Sequence, residues 1–140
     1  MPGILGGIIF GLIGGLFGSI VMAIIMMAMG KKVTPPGILA EKFFGDEGKK
    51  PIVLMPVMAA WGAIFGALVA SGTLAAGYVS GFIVAGVAWA MLNIVMLPMA
   101  GAGILGMKKD AMLPVMSLIM HAVWAGVAVT TYNILAGIIG

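Results

Sequence analysis

Apolar residues run along this chain in four long blocks separated by short polar stretches, a pattern that predicts four membrane-crossing helices. A spanning helix needs about 20 apolar residues, each rising about 1.5 Å. The blocks at about 4–29, 52–71, 77–100 and 112–139 meet that length. Helices are the expected form because lipid cannot satisfy open backbone groups, and no ~10-residue alternating segments suggest a barrel. The first and last blocks exceed the minimum, which implies tilt or ends that reach the headgroups. The expected fold is all-α integral membrane, a single domain over 1–140 in which two antiparallel hairpins form a four-helix bundle.

The loops at 30–51 and 101–111 join spans 1 to 2 and 3 to 4. Within the first, Thr34-Pro35-Pro36 reads as an N-cap followed by prolines suited to a first turn. A short helix then runs to Gly45, with Ile38, Leu39 and Phe43 on one side and Glu41 and Lys42 on another. Such a helix either lies in the membrane interface or is an apolar loop end resting on the bundle. The hairpins resemble each other: Leu54-Met55-Pro56-Val57-Met58 parallels Leu113-Pro114-Val115-Met116. Trp61-Gly62-Ala63-Ile64-Phe65-Gly66 likewise parallels His121-Ala122-Val123-Trp124-Ala125-Gly126. A drifted duplication is expected, with a parallel pseudo-twofold along the membrane normal.

Charge turns this pattern into a topology. Every ionisable side chain except His121 lies between Lys31 and Lys50 or between Lys108 and Asp110. The lysines are Lys31, Lys32, Lys42, Lys49, Lys50, Lys108 and Lys109, all suited to lipid headgroups. The positive-inside rule places both loops in the cytoplasm, the termini outside and the chain in a plasma (inner) membrane. The N-terminal stretch lacks the positive region of a secretory signal, so the first block is expected to be a span. With 63% hydrophobic and 8% charged residues and a mean hydropathy of +1.26, a soluble domain is excluded. The lysines form juxtamembrane clusters rather than a basic face, so no nucleic-acid partner is expected. The absence of cysteine excludes disulfides and thiolate sites.

Glycines supply the clearest packing signal. Gly3, Gly7, Gly11 and Gly15 recur every fourth residue on span 1, with Gly14 and Gly18 on an adjacent stripe. Span 2 carries Gly62 and Gly66, and span 3 carries Gly77 and Gly81. Small residues at this spacing let helix backbones approach closely. They serve either this bundle or docking onto another transmembrane subunit, for which span 1 is the best candidate.

Candidate chemistry is sparse. His121 is the only residue inside a predicted span that titrates near neutral pH, and such residues are functional candidates. It lies one turn after Ser117, and it is either a neutral ring bonded to a carbonyl or serine, or a ligand or relay group. Asn93 in span 3 and Asn133 in span 4 are further intramembrane polar candidates, suited to cross-linking helices or to lining a narrow path. The 14 methionines include Met112, Met116 and Met120 at four-residue spacing on span 4, and Met22 and Met26 at the same spacing on span 1. Thioethers bind Cu(I), so His121 with Met116 and Met120 forms a conceivable copper set; methionine as adaptable core filler is the ordinary alternative. No other metal, no cofactor and no catalytic residue is expected. The Gly101-Ala102-Gly103-Ile104-Leu105-Gly106 match to a dinucleotide fingerprint opens no βαβ unit and reads as a flexible turn.

The chain resembles a family of small four-span prokaryotic membrane proteins of uncharacterised function, grouped with the YagU-like and related families. The resemblance rests on Gly14-Gly15-Leu16-Phe17-Gly18-Ser19-Ile20-Val21-Met22, Pro35-Pro36-Gly37-Ile38-Leu39-Ala40, Gly62-Ala63-Ile64-Phe65-Gly66-Ala67-Leu68 and His121-Ala122-Val123-Trp124-Ala125-Gly126. Trp61 stands where such proteins often carry a histidine. The resemblance implies four spans and little about activity. The expected function is a non-catalytic accessory or structural subunit, not an enzyme on its own. It would pack its glycine faces against a larger membrane complex, for example a respiratory or metal-containing oxidase or monooxygenase assembly. The alternative is a small-solute channel or transporter acting as a homo-oligomer, supported by the duplicated hairpin with His121 and Asn93 at membrane depth.

Overall fold

The computed structural model of the chain describes residues 3–30 and 34–139, Glu47 through its backbone alone. Lys31 and Lys32, expected at the headgroups, lie outside the described residues. Four helices are long and apolar enough to cross a membrane: α1 (Ile4–Ala28), α3 (Lys50–Ala70), α4 (Tyr78–Met99) and α5 (Leu113–Ile138). A short α2 (Pro35–Phe44) lies in the first loop. No strand occurs among the described residues. The large side chains that stay exposed, among them Ile9, Phe17, Ile24, Val79, Ile83 and Ile119, are apolar and cover the outward faces of the spans. Only a bilayer makes such a surface inexpensive.

Backbone chemistry sets the element ends. Gly72, at φ 80°, lies in the left-handed region and reverses the chain after α3; the amides of Thr73 and Leu74 return to the Leu68 carbonyl. Pro56 inside α3 has no amide to offer the turn before it. In α4 the last turns widen into a π-helix over Met91–Met96. The anticipated α2 forms with its anticipated caps: Thr34 Oγ1 accepts from the Gly37 amide at 3.2 Å, and Gly45 ends the helix at φ 69°.

The packing of α2 departs from the pattern read in the sequence. Its buried face is Pro35, Pro36, Gly37, Leu39 and Ala40, whereas Phe43 and Phe44 are exposed. Leu39 joins Leu97, Ala102 and Leu113 in a small apolar cluster. Of the two readings of this helix, the loop end resting on the bundle holds for Leu39 and Ala40, while Phe43 stays exposed. That contact brings the two lysine-bearing loops together. The glycine turn after α4 is ordered too, since Ala102 is fully buried and accepts from the Lys108 amide.

The bundle is asymmetric. Helix α1 packs intimately on α3 and closely on α5, and α5 packs on α4, but α3 and α4 barely meet. The halves therefore do not obey a strict pseudo-twofold, which would make the α3–α4 contact match that of α1 with α5. The glycines explain this. A methyl group added at Gly7 would stand 2.6 Å from the Gly66 carbonyl oxygen, and one at Gly11 2.9 Å from the Gly66 backbone. The adjacent stripe serves α5: a methyl at Gly14 would stand 2.7 Å from the Ala128 carbonyl oxygen, and one at Gly18 2.5 Å from the Trp124 ring. The Trp124 indole donates to the Gly15 carbonyl at 3.1 Å. Apart from Gly3, both stripes of α1, read in the sequence as serving either this bundle or another subunit, are thus occupied within this one chain.

Candidate functional site

The two ends of the bundle are filled differently. Toward the α3–α4 turn, Tyr132 packs edge-on against Phe65 and Phe10, with ring centroids 5.5 and 6.3 Å away. Val69, Val84 and Val129 complete a dense plug. Toward the lysine loops, where α3 and α4 splay, the helices enclose a cavity of about 50 Å³. Met22 and Met26 of α1, Met58 of α3, Met96 of α4, and Met116 and Met120 of α5 contribute to its wall. His121 and Ser117 form the polar margin, Trp61 and Leu92 a further side, and Thr34, Pro36 and Leu39 of α2 the cap. An apolar cavity of 150 Å³ holds benzene. A third of that volume suits an ion or a very small molecule.

A second cavity, of about 230 Å³, lies between the loop-side ends of α1 and α3. It shares Met26, Thr34, Pro36 and Leu54 with the first and adds Met27, Met55 and Lys50. Those shared residues separate the enclosed chamber from an outer groove. The packed aromatic and valine residues lie on the opposite side of the bundle from the lysine loops.

The polar groups around the chamber are nearly all engaged with one another. Ser117 Oγ donates to the Pro114 carbonyl at 3.1 Å and accepts from Trp89 Nε1 at 3.1 Å and Asn93 Nδ2 at 3.3 Å. Trp89 Nε1 also reaches the Pro114 carbonyl, and Asn93 Nδ2 donates to the Trp89 carbonyl at 2.9 Å. Asn93 is fully buried within the π-helical turn, and its Oδ1 has no partner. This network ties α4 to α5, the cross-linking role anticipated for Asn93. Asn133, by contrast, is exposed near the far end of α5.

His121 is buried, and its Nδ1 lies 2.7 Å from the Ser117 carbonyl oxygen one turn earlier. A carbonyl only accepts, so Nδ1 carries a proton, and in the neutral ring Nε2 keeps its lone pair. No hydrogen bond among the described residues engages Nε2. The ring is therefore tethered by one edge and offers an unprotonated nitrogen on the other. A carbonyl bonded to the far nitrogen is the usual way in which proteins orient a metal-binding imidazole.

Of the other sequence candidates, Gly62 and Gly66 face α1, and Gly81 faces Val129; Gly3 and Gly77 have nothing within 4 Å. Lys42, Lys49, Lys108 and Lys109 are exposed and Lys50 half-buried. Met116, Met120 and His121, the sequence's copper set, share the chamber wall with four further methionines. Among the described residues no three histidine, cysteine or carboxylate side chains cluster as a metal group. One signal in the sequence does single out Met22, Met26, Met58 and Met96. Apart from Met1, every methionine lies in the lysine-loop half of a span or in the loop beside it. Counting methionines conceals that bias; plotting them by depth displays it.

No model of a known protein family matches the chain, and neither a curated protein nor a solved structure matches it.

Proposed function

We propose that this protein works through its enclosed chamber, as a multi-pass membrane protein that binds one small ligand at the lysine-loop side of the bilayer. The observation that carries this reading is the chamber itself, walled by all four spans and capped by α2. Methionine walls adapt readily to a guest. The tight packing of Tyr132, Phe65, Phe10 and the valines in the opposite half supports binding over an open channel. By the positive-inside rule the ligand is exchanged with the cytoplasm, and the termini lie outside. No catalysis is assigned to the chain alone, since the chamber offers no paired acid and base.

Crystals pressurised with xenon test the cavity without reference to any particular ligand. Xenon density is expected in the chamber and is expected to vanish in Ala88→Leu, whose new side chain fills it from α4. An empty chamber in the wild-type protein would overturn the reading.

The accessory-subunit reading keeps one specific support. Gly126 lies bare in a shallow groove beside Tyr78, Val123 and Thr130, with nothing within 4 Å of an added methyl. A partner helix would seat there and not on α1. Extraction in mild detergent followed by mass spectrometry of co-migrating proteins checks it: stoichiometric larger partners lost in Gly126→Leu support docking, and a lone chain refutes it.

A further inference from the structure

We infer that the chamber is a site for a soft monovalent metal ion, Cu(I), held by methionine thioethers and His121 Nε2. The inference rests on the binding reading above and gives the ligand its chemistry. The free donor atoms around the cavity decide that chemistry. Thr34 Oγ1 is taken by the Gly37 amide, and Ser117 Oγ by three partners. What remains is mostly thioether sulfur and one imidazole nitrogen, with two neutral donors beside them, the Thr34 hydroxyl hydrogen and the Trp61 indole N–H, which no hydrogen bond among the described residues engages.

That donor set discriminates strongly. An anion would find no cationic side chain in the wall, and a sugar-like solute would find only the Thr34 hydroxyl and the Trp61 indole as donors among six thioethers. Hard cations such as Mg²⁺ or Ca²⁺ need oxygen ligands, and zinc favours thiolate, imidazole or carboxylate in greater number. Soft thioethers select Cu(I). The chamber's volume fits an ion and excludes a benzene-sized guest.

Two further observations bear on this assignment. Core filler should be spread through the bundle, yet beyond Met1 the methionines keep to the lysine-loop half. In addition, Met26, Met27 and Met55 line the outer groove that adjoins the chamber. Thioethers thus continue from the loop-side surface to His121, which gives a soft ion successive ligands along its entry. A positive charge among neutral ligands at membrane depth is costly. Occupancy must therefore depend on the sulfurs themselves, and removing sulfur at constant volume is the sharp test.

The experiment is anaerobic transfer of Cu(I) from its bicinchoninate complex to the detergent-purified chain. About one Cu(I) per chain is expected, with sulfur and one nitrogen as X-ray absorption neighbours and no displacement by equimolar Zn²⁺. Met22→Leu/Met58→Leu/Met120→Leu keeps the volume of the chamber wall and should lose uptake. The control Met91→Leu/Met99→Leu/Met107→Leu changes exposed methionines and should retain it. His121→Leu should retain copper more weakly and lose the nitrogen neighbour. No uptake by the wild-type protein, or equal loss in the control, would overturn the assignment. Xenon binding separates the failures: xenon without Cu(I) refutes the metal alone, whereas neither binding refutes the chamber reading as well.

Discussion

At the scale of single residues, glycine carries two opposite roles that only its neighbours distinguish. Gly66 and Gly86 look alike in the sequence, each a glycine inside an apolar helix. A methyl at Gly66 would fall on the Gly7 carbonyl, whereas one at Gly86 would meet nothing within 4 Å. Gly66→Ala is therefore expected to force α1 and α3 apart and cost about 1–3 kcal/mol. Gly86→Ala should gain roughly 0.5–1 kcal/mol from reduced backbone entropy loss. Reversible unfolding in mixed micelles measures both, and equal effects would contradict the close contact. Thr34 acts as a cap on α2 alone. Thr34→Ala should cost about 1 kcal/mol locally and loosen the lid over the chamber. Because the chain has no cysteine, maleimide labelling of Leu39→Cys reports this directly and should speed up when Thr34 is also replaced.

At the scale of elements, the spans follow from hydropathy to within two residues at each end, because their length is imposed by the bilayer. The π-helical turn of α4 was not legible, since it arises from tertiary demand. It seats Asn93 where one side chain reaches both the Trp89 carbonyl and Ser117 on α5. Asn93→Ala should weaken the α4–α5 contact by about 0.6 to 1.7 kcal/mol, the range for hydrogen bonds between membrane helices. Faster hydrogen exchange confined to α4 would register it; a uniform change across all spans would argue against a local clamp. The sequence leaves the choice between the two readings of α2 open for a related reason. Its apolar residues surround much of the helix, so amphipathic spacing alone did not choose between Phe43 and Ala40. The cluster of Leu97, Ala102 and Leu113 made the choice.

At the scale of the whole molecule, both lysine-bearing loops converge on one end and the chamber lies beneath them. The positive-inside rule then predicts that a membrane-impermeant maleimide labels Thr73→Cys in intact cells and reaches Gly48→Cys only after lysis. The reverse pattern would place the chamber on the outside and reverse the direction of ligand exchange.

The sequence by itself determined the class of the protein, the number and limits of its spans and the end at which its charges gather. These depend on composition along a line, and transfer into lipid is scored segment by segment. It also named His121 as a candidate and saw parts of the methionine set on spans 1 and 4. The tertiary structure decided what those residues do together. It turned both glycine stripes of α1 inward, because backbone approach is a property of pairs of helices. It left α3 and α4 with little contact and gathered methionines from four spans, with His121, around one cavity. Periodicity within one helix carries no information about which faces of different helices will meet, so the chamber became visible only when the chain was folded.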